Sequence, residues 1–561
     1  MTSPPLYAQI LVVGGGPAGS YAATALAREG FQVVLFEAAA FPRYHIGESL
    51  IPAVRHHLRF IDAEQKIIDA GFAHKPGAAM KFTQHKHEGY TDFVALGAGN
   101  STWNVCRADF DALLLDHAQE QGVSVFQSTK VTSIAFNDDG RPVSATYTTP
   151  IGTQDVVDNQ QMITFDYLVD ASGRAGLLSN NYFKTRRYNS SLRNIATWGY
   201  WRGAGVYGRG TPTEGAPWFE ALTDESGWAW FIPLAGGITS VGIVRSQRAS
   251  SRSRLSMRHR YLSSLNLAPG LRALLGDQAE LIPGGLPTRV SGASEPGVAA
   301  SSDTTIRSAS DFSYSSSSYA GPGYRIVGDA GAFIDPFFSS GVHLAVNSAL
   351  SAATSIAASI RGDCGEKDAC DWHTERVTVS YTRFLVVVLS AYKQMRSQSQ
   401  DVLTDVGEDS FDNAFKALRP IIHGNADVGP RLSEEEVQRA LDFCSDLFTP
   451  TSPEQHAAAR ARVRRSDALF DIRAPVLTPR ALDAAVATLL PAANVSGVAG
   501  EEEVRRVLGK INARRIIHRD FGGMHSLEEE TLGSGVGWRV RLERGQLGLV
   551  RAHPITDKSK D

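Results

Sequence analysis

Residues 9–37 of this chain read QILVVGGGPAGSYAATALAREGFQVVLFE. The apolar run QILVV is typical of a strand buried on both faces, and the glycines that follow interrupt it. The alanine-rich SYAATALAREG predicts a helix that ends at Gly30, and FQVVLFE predicts a second strand. The stretch is therefore predicted to be one βαβ unit, and the chain to be an α/β protein.

The glycines of this unit predict a nucleotide site. Gly14, Gly16 and Gly19 form Gly-x-Gly-x-x-Gly, which is a weak motif alone but lies here between a strand and a helix. Glycines in this place let backbone N–H groups approach a pyrophosphate at the helix N-terminus. Glu37 follows about 20 residues later, at the end of the second strand, where a carboxylate can bind a ribose. At this point NAD and FAD both remain possible.

Composition restricts the classes of partner. The chain has 561 residues and a formal net charge of -3, so no strongly basic surface is available for nucleic acid. Its four cysteines, Cys106, Cys364, Cys370 and Cys444, form no Cys-x-x-Cys pair, although Cys364 and Cys370 could close a small loop. We predict reduced thiols and no metal site.

Neither of the two most apolar stretches of the sequence indicates a signal peptide or a membrane span. The N-terminal MTSPPLYAQILVV lacks a basic region, and its apolar residues are better explained by the first strand than by a signal peptide. Another apolar run, FLVVVL at 384–389, is far shorter than the ~20 residues that span a bilayer. We expect a cytoplasmic protein with no membrane partner.

The remaining sequence predicts further elements. Residues 52–70 have helical spacing, and 80–105 and 123–170 have strand-like patterns. The aromatic-rich 195–245 predicts an antiparallel sheet that covers a pocket. The serine-rich 301–320 offers little to bury, so we predict a flexible loop or lid there. After about 365 the pattern is mostly helical, with amphipathic segments near 433–443, 478–490 and 501–521.

Two further segments favour FAD over NAD. VGDAGAFIDP, residues 327–336, resembles the second FAD-contact region of aromatic-hydroxylase flavoproteins, in which Asp329 matches the residue that binds the ribitol. Arg107, in WNVCRADFDALL, matches that family's arginine beside the cofactor, but it is also compatible with a surface ion pair. Because no second complete dinucleotide motif occurs, we expect a separate NAD(P)H flavin reductase to supply reduced FAD.

Three motifs resemble a narrower family, the flavin-dependent halogenases. They are GESLIP at 47–52, GFAHKPGAAMKF at 71–82 and GWAWFIP at 227–233, in the family's order and spacing. The resemblance covers the N-terminal two-thirds of the chain and is greatest to fungal phenol halogenases that act on polyketide aromatics. It implies an oxidoreductase of secondary metabolite biosynthesis with the aromatic-hydroxylase type of flavoprotein fold.

The GWAWFIP segment carries Trp228, Trp230 and Pro233. Tryptophans two apart on a strand face the same side, and without the other motifs they are equally well explained as core residues. The resemblance implies that these residues shield the flavin, so that the substrate cannot reach it directly. This separation favours halogenation over hydroxylation.

Lys75 is the residue that the resemblance identifies as catalytic. Its neighbours Phe72, Pro76, Ala78 and Ala79 are apolar, and burial there would lower the pKa of the amine. From local sequence alone, an exposed lysine is the commoner outcome. Lys81 is the second candidate in the same segment.

PFFSSGVHL, which begins at Pro336, resembles the stretch whose backbone amides hold the halide. Ser340 and Gly341 would supply those N–H groups at the start of a helix. Tryptophan halogenases have a glutamate in this stretch, where this chain has Phe338. That departure argues against free tryptophan as the substrate and favours an electron-rich phenol or pyrrole.

The implied reaction starts when reduced FAD and O2 give a flavin hydroperoxide. Chloride or bromide attacks it to give hypohalous acid, which reaches Lys75 and then a phenolic carbon. The implied cofactor-binding residues are Gly14, Gly16, Pro17, Ala18, Gly19, Glu37, Arg43, Gly47, Glu48, Ser49, Arg107, Asp329 and Gly341. Two alternatives remain open: an FAD-dependent aromatic hydroxylase and a non-catalytic flavin-binding redox sensor.

We predict two regions. Residues 1–364 form an FAD-binding core, with FAD segments near 8–60, 100–175 and 324–360 and a substrate sheet near 190–290. Residues 365–561 form a helical region that covers the substrate pocket. In that region the aromatic residues Phe384, Tyr392, Phe411 and Phe415 either line the pocket or belong to a helical core.

Overall fold

The computed structural model describes most of the chain up to residue 396 and several shorter stretches beyond it. The described residues are 3–85, 87–94, 98–149, 160–250, 255–283, 286, 305–396, 398, 453–463, 467–470, 477, 479–489, 498–517 and 538–551. Within these ranges, no helix has the length and apolar character that crossing a membrane requires.

The first of two large sheets contains the predicted βαβ unit. Its strands are β1 (Tyr7–Val13), β2 (Val33–Phe36), β7 (Ser124–Phe126), β8 (Lys130–Phe136), β9 (Pro142–Thr148), β10 (Gln161–Asp170), β17 (Ala320–Gly321) and β18 (Tyr324–Ile326). They run in the order β17-β18-β10-β1-β2-β7, with β9 and β8 continuing from β10. The pairs from β18 to β7 are parallel. This parallel centre confirms the α/β prediction.

The second sheet is largely antiparallel. It contains β4 (Gly77–Lys81), β5 (Gly89–Asp92), β11 (Arg186–Arg202), β12 (Trp218–Ala221), β13 (Gly227–Leu234), β14 (Ile238–Ser246), β15 (Glu280–Leu281) and β16 (Arg307–Ser316). The order is β15-β11-β14-β13-β12-β4-β5, and β16 pairs with β11. The short pairs are β3 (Ala73–Lys75) with β6 (Thr102–Asn104), and β19 (Trp538–Arg541) with β20 (Gly548–Arg551). The antiparallel sheet predicted for 195–245 is confirmed.

Some helices pack on the first sheet, and others come after strands of the second sheet in the chain. They are α1 (Pro17–Arg28), α2 (Ala53–Phe60), α3 (Glu64–Asp69), α4 (Arg107–Glu120), α5 (Gln247–Ser250), α6 (Met257–Leu265), α7 (Pro269–Leu275), α8 (Gly341–Arg361), α9 (Glu366–Met395), α10 (Pro453–Arg462), α11 (Asp467–Phe470), α12 (Pro479–Leu489) and α13 (Val498–Ile517). The small side chains of α8 allow it to pack between α1 and α9. The helices predicted near 52–70, 478–490 and 501–521 are confirmed.

Two glycines bring the start of α1 against the ends of β1 and β10. Gly14 has φ +110, and a Cβ atom there would lie 2.2 Å from the carbonyl oxygen of Ala171. A Cβ on Gly19 would lie 1.8 Å from the carbonyl oxygen of Gly14. Both positions therefore require a residue without a side chain. The role of Gly19 that the structure shows is this close packing of α1 against β1.

The prediction of a flexible loop over 301–320 is wrong for its described part. Arg307–Ser316 forms β16, which pairs with β11 over most of its length. The hydroxyl of Ser316 donates to the carbonyl oxygen of Gly331, and Ser313 is fully buried. Backbone pairing with β11 and these hydroxyl bonds offset the ordering cost that the serine-rich composition suggested.

Some predictions fall outside the described residues. They are the helix near 433–443, Cys444, Phe411 and Phe415. Among described residues, Cys106, Cys364 and Cys370 are free thiols, so the small loop between the last two is not closed by a disulfide. Phe384 is 1% exposed and belongs to the main hydrophobic core.

Replacing Gly19 by alanine is expected to lower the free energy of unfolding by about 1–3 kcal/mol or more, because the added Cβ forces backbone apart in a filled site. Denaturant unfolding measures the change. Gly99→Ala is the matched control, since nothing lies within 4 Å of a Cβ at that position. Equal stability of the two variants would contradict the close contact of α1 with β1.

Candidate active site

One cavity of about 610 Å³ extends from the end of β1 to the face of β13. Its size is in the range of cofactor sites. It is lined by fourteen of the residues named from sequence: Gly14, Gly16, Pro17, Ala18, Glu37, Arg43, Gly47, Glu48, Ser49, Arg107, Trp228, Trp230, Asp329 and Gly341. Four others do not line it: Gly19, Lys75, Pro233 and Ser340.

The end of the cavity near β1 fits the nucleotide part of FAD. The Oε2 atom of Glu37 accepts a hydrogen bond of 2.6 Å from the Gly15 N–H, and Oε1 accepts one of 2.8 Å from the Ala39 N–H. Each carboxylate oxygen keeps a further lone pair for a ribose hydroxyl. At Gly16 a Cβ would lie 3.3 Å from the Arg43 guanidinium, so the turn leaves room for a phosphate.

Arg107 is held inside the protein by Asp111. Its side chain is 7% exposed, and its Nε and Nη2 atoms donate to the two carboxylate oxygens at 2.8 and 3.1 Å. The Nη1 atom donates to the carbonyl oxygens of Ile46 at 2.9 Å and Gly47 at 3.3 Å. Arg43 adds a second bond to Asp111 at 3.0 Å. The alternative of a surface ion pair is wrong, because this pair is buried. The bonds to Arg43 and to the carbonyl oxygens of Ile46 and Gly47 tie α4 to the cavity wall.

Asp329 lies in the short turn after β18, at the other side of the cavity. Burial raises the pKa of its carboxyl to about 6, and Arg107, Arg174 and Arg186 act in the opposite direction. A carboxyl with such a pKa can accept or donate a hydrogen bond near neutral pH. Both forms suit the hydroxyl groups of a ribitol.

Three tryptophans form one wall of the cavity. Trp228 and Trp230 face the same side of β13, with ring centroids 5.8 Å apart. Trp198, from β11, lies 6.3 Å from Trp230 and also lines the cavity. We call Trp198, Trp228 and Trp230 the tryptophan wall. Trp198 was missed in the sequence, although it lies in the aromatic segment that predicted the sheet.

Hydrogen bonds behind the tryptophan wall fix its orientation. The Nε1 atom of Trp230 donates to the Ser240 hydroxyl at 3.1 Å. The Nε1 atom of Trp228 donates to the Tyr392 hydroxyl at 2.7 Å, and that hydroxyl donates to Oδ2 of Asp335 at 2.6 Å. Tyr392 is thus a buried hydrogen-bonding residue of α9 behind the wall.

The turn before α8 brings the start of that helix to the cavity. Ser339 has φ 57, a left-handed conformation that few residues with a side chain adopt. Ser339 and Gly341 line the cavity, whereas the Ser340 side chain is fully buried outside the lining. The first N–H groups of a helix have no acceptor within it and attract anions. Ser339, missed in the sequence, joins Gly341 at this candidate halide site.

Lys75 lies behind the cavity, at the end of β3. It is 1% exposed, and its Nζ atom donates to the carbonyl oxygen of Leu50 at 2.6 Å and lies 5.2 Å from the centroid of the Phe93 ring. Burial lowers the pKa of the amine to about 7. Leu50 directly follows Ser49, which lines the cavity. Lys81 is only half-buried, on β4, so burial favours Lys75 of the two candidates.

Two further predicted positions lie near the site but not in it. Phe338 is 5% exposed, and its ring packs edge-to-face on that of Phe337 with the ring centroids 4.9 Å apart. The position therefore provides an apolar ring and no carboxylate. Pro233 is half-buried and pairs with Thr239 across β13 and β14. Pro233 is thus part of the strand that carries Trp228 and Trp230, but it does not line the cavity.

Tyr44 and Tyr200 lie outside the cavity lining but connect to Glu48, and the sequence did not identify them. The Tyr200 hydroxyl donates to Oε1 of Glu48 at 2.7 Å, and the two tyrosine hydroxyls are 2.9 Å apart. Tyr200 lies two residues after Trp198 on β11, so the period of the strand could have indicated that both face the same side.

Comparisons with known proteins agree with this geometry. The family model described as tryptophan halogenase matches residues 9–105 and 95–401. Flavin-dependent halogenase armH4 of Armillaria mellea is 48% identical over 98% of this chain and 99% of its own length. Sulochrin halogenase gedL of Aspergillus terreus is 41% identical over 98% of this chain and 95% of its own length. The solved structure of CmlS, a flavin-dependent halogenase, has a TM-score of 0.62 and 26% identity, covering 78% of this chain and 77% of its own.

Replacing Gly242 by alanine is expected to displace Trp230, because a Cβ there would lie 2.2 Å from the indole ring. We expect a loss of about 1–3 kcal/mol in unfolding free energy and weaker FAD binding. Denaturant unfolding and flavin fluorescence titration measure the two effects. Gly365→Ala, where an added Cβ meets nothing within 4 Å, is the control. If both variants bound FAD with wild-type affinity, the contact between Gly242 and the tryptophan wall would have no role in binding.

Proposed function

This chain belongs to the tryptophan halogenase family of flavin-dependent halogenases, and we propose that it halogenates an electron-rich phenol on the far side of the tryptophan wall from FAD. It is an enzyme whose cofactor is FAD and whose co-substrates are halide and O2.

The observation that carries the proposal is the position of Lys75 relative to the cavity. Its amine donates a hydrogen bond to the carbonyl oxygen of Leu50. The residue before Leu50, Ser49, lines the cavity. The amine itself is outside the cavity lining. A group placed just behind the cavity lining at Ser49 can act on a substrate that never contacts the flavin. An aromatic hydroxylase needs the opposite arrangement, with the substrate beside the flavin.

Bound reduced FAD would supply the activation of O2 that oxidises the halide. The chain contributes the halide site at Ser339 and Gly341, where the start of α8 favours an anion. The tryptophan wall keeps the aromatic substrate out of the cavity. Lys75 then binds the resulting hypohalous acid, by a hydrogen bond or as a chloramine, and directs it to the phenolic carbon.

The substrate class follows from what the site lacks. At Phe338 no carboxylate is available to assist the ring that is attacked, so the ring must be activated by its own donor group. A phenol activates its ortho and para carbons in this way. Sulochrin, which gives the Aspergillus terreus relative its name, supports a polyketide phenol as the substrate of this chain.

Two further assignments belong to the proposal. A separate NAD(P)H flavin reductase supplies the reduced FAD, since no second complete dinucleotide motif occurs in the sequence. The FAD-binding core is residues 1–364, and the helical region from 365 covers the substrate pocket. The contact of Tyr392, in α9, with Trp228 supports a role of that region behind the tryptophan wall.

Lys75→Met is expected to reduce halogenated product by about 100-fold or more, because it removes the group that positions the oxidant while preserving an unbranched side chain. The assay contains FAD, a flavin reductase, NADH, chloride or bromide and a panel of phenolic polyketides, with products measured by mass spectrometry. Lys81→Met is the matched control, since it alters the other lysine of the same segment.

Loss of the halogen isotope pattern in Lys75→Met, with FAD binding and Lys81→Met unaffected, is the expected result. A product that gains one oxygen, in wild type and variant alike, would instead identify an aromatic hydroxylase. Equal halogenation by Lys75→Met and wild type would remove Lys75 from the mechanism.

The yield of halogenated product per FAD reoxidised is expected to increase as pH rises through about 7, since the pKa of Lys75 is about 7. Burial lowers this pKa, so the amine is charged below it and has a lone pair for the oxidant only above it. Product and reoxidised FAD are measured together on both sides of pH 7. A yield that is constant over this range would contradict the role of the neutral amine.

A further inference from the structure

A chain of hydrogen bonds runs from the half-buried Tyr44 to the cavity. The Nε1 atom of Trp198 donates to the Tyr44 hydroxyl at 2.7 Å, and the guanidinium of Arg307 lies 3.7 Å from the centroid of the Tyr44 ring. The Tyr44 and Tyr200 hydroxyls are 2.9 Å apart, and Tyr200 donates to Oε1 of Glu48 at 2.7 Å. Since Tyr200 uses its one proton on Glu48, the proton between the tyrosines belongs to Tyr44. Every O–H group therefore points toward Glu48.

Glu48 ends this chain inside the cavity. Glu48 is among the residues that line the cavity, although it is only 2% exposed. Its Oε2 atom makes no hydrogen bond of standard geometry with a described residue. A buried carboxyl oxygen that lacks a hydrogen bond of standard geometry is costly and is rarely found without a ligand or a chemical role. A ligand in the cavity that Glu48 lines could supply the missing partner.

The groups around Glu48 allow it to exchange a proton near neutral pH. Burial raises the pKa of the Glu48 carboxyl to about 7. The hydroxyls of Ser240 and Tyr200 and the positive charge of Arg107 lower it, but by less than burial raises it. Both the acid and the carboxylate are therefore populated at neutral pH.

We propose that Glu48 delivers protons into the FAD cavity and is reprotonated from solvent through Tyr44 and Tyr200, which we call the proton chain. The Glu48 O–H bond breaks toward the cavity, Tyr200 passes its proton to Glu48, Tyr44 passes its own to Tyr200, and solvent restores Tyr44. Glu48 would then be a catalytic acid as well as a residue of the cofactor site.

The need for protons follows from the proposed function, on which this inference rests. With X− as the halide, the balanced reaction is FADH− + O2 + X− + 2 H+ → FAD + HOX + H2O. O2 gains two electrons from the flavin and two from the halide, and two protons must enter from outside. Lys75 lies outside the cavity lining, whereas Glu48 belongs to it, so Glu48 is the better placed of the two to supply these protons.

Tyr200→Phe interrupts the proton chain while keeping the ring that packs behind the cavity. The matched control is Tyr261→Phe, which also removes a buried hydroxyl. That hydroxyl accepts from Trp201 at 2.8 Å and donates to the Val241 carbonyl at 2.9 Å, but Tyr261 does not line the cavity. Rapid mixing of the reduced FAD complex with O2 and bromide, in H2O and in D2O, measures the rate of FAD reoxidation without any aromatic substrate.

Loss of a positioned acid slows a proton-dependent step by about 100-fold or more. We expect a reduction of this order in Glu48→Gln and a reduction of about 10-fold or more in Tyr200→Phe. The ratio of the rates in H2O and D2O should rise in Tyr200→Phe. Tyr261→Phe should reoxidise FAD at the wild-type rate, with the wild-type solvent ratio.

Infrared titration of the protein without FAD gives a readout that is independent of turnover. The protonated-carboxyl band of wild type should include one component with a midpoint near pH 7, the pKa of Glu48, and Glu48→Gln should lack it. Tyr200→Phe should shift that midpoint upward, because the hydrogen bond from Tyr200 lowers the pKa. Tyr261→Phe should leave the midpoint unchanged.

Reoxidation rates of Tyr200→Phe and Glu48→Gln equal to that of Tyr261→Phe, in both solvents, would overturn the proposal. Failure of the proposed function has a different signature. If no halogenated product forms, FAD reoxidation still takes up a proton, FADH− + O2 + H+ → FAD + H2O2, and the same variants should slow it. If Lys75→Met reoxidises FAD normally, its defect is confined to the later transfer.

Discussion

The active-site wall depends on one buried carboxylate, that of Asp335. The residue is 0% exposed, and its Oδ2 atom accepts hydrogen bonds from the Tyr392 hydroxyl at 2.6 Å and the Asn194 amide at 3.2 Å. Its Oδ1 atom accepts one of 3.1 Å from the Phe337 N–H. Burying a carboxylate costs several kcal/mol unless such donors surround it. Because the donors come from α9, β11 and the turn before α8, their positions become interdependent.

Asp335, the anchor of this network, links the tryptophan wall on one element to the turn before α8 on another. The Tyr392 hydroxyl donates to Asp335 and accepts hydrogen bonds from Trp228 at 2.7 Å and the Asn194 amide at 2.8 Å, which uses its full capacity. Asp335 also starts the turn that leads to Gly341. The tryptophan wall and the candidate halide site are therefore held by the same buried group, which fixes the spacing between them.

Local sequence predicted those features whose causes are local. The βαβ unit, the place of Glu37 and the common face of Trp228 and Trp230 follow from strand and helix periods and from glycine geometry. The burial of Lys75 came only from family resemblance, since local sequence favours an exposed lysine. The anchor was not predictable, because Tyr392 and Asp335 are 57 positions apart and meet only through the packing of α9. The serine-rich strand β16 was missed for the same reason, as its ordering depends on β11.

Burial also explains how one site can hold a base and an acid that both titrate near neutral pH. Low polarity disfavours charge, so it lowers the pKa of Lys75 to about 7 and raises that of Glu48 to about 7. If the two groups were paired with each other, each would stabilise the charged form of the other, and both shifts would be cancelled. The chain prevents this pairing: Glu48, which lines the cavity, contacts Tyr200, while Lys75, outside the lining, contacts the carbonyl of Leu50. The segment from Glu48 to Leu50 thus separates the proposed proton supply from the proposed halogen transfer within three residues of backbone.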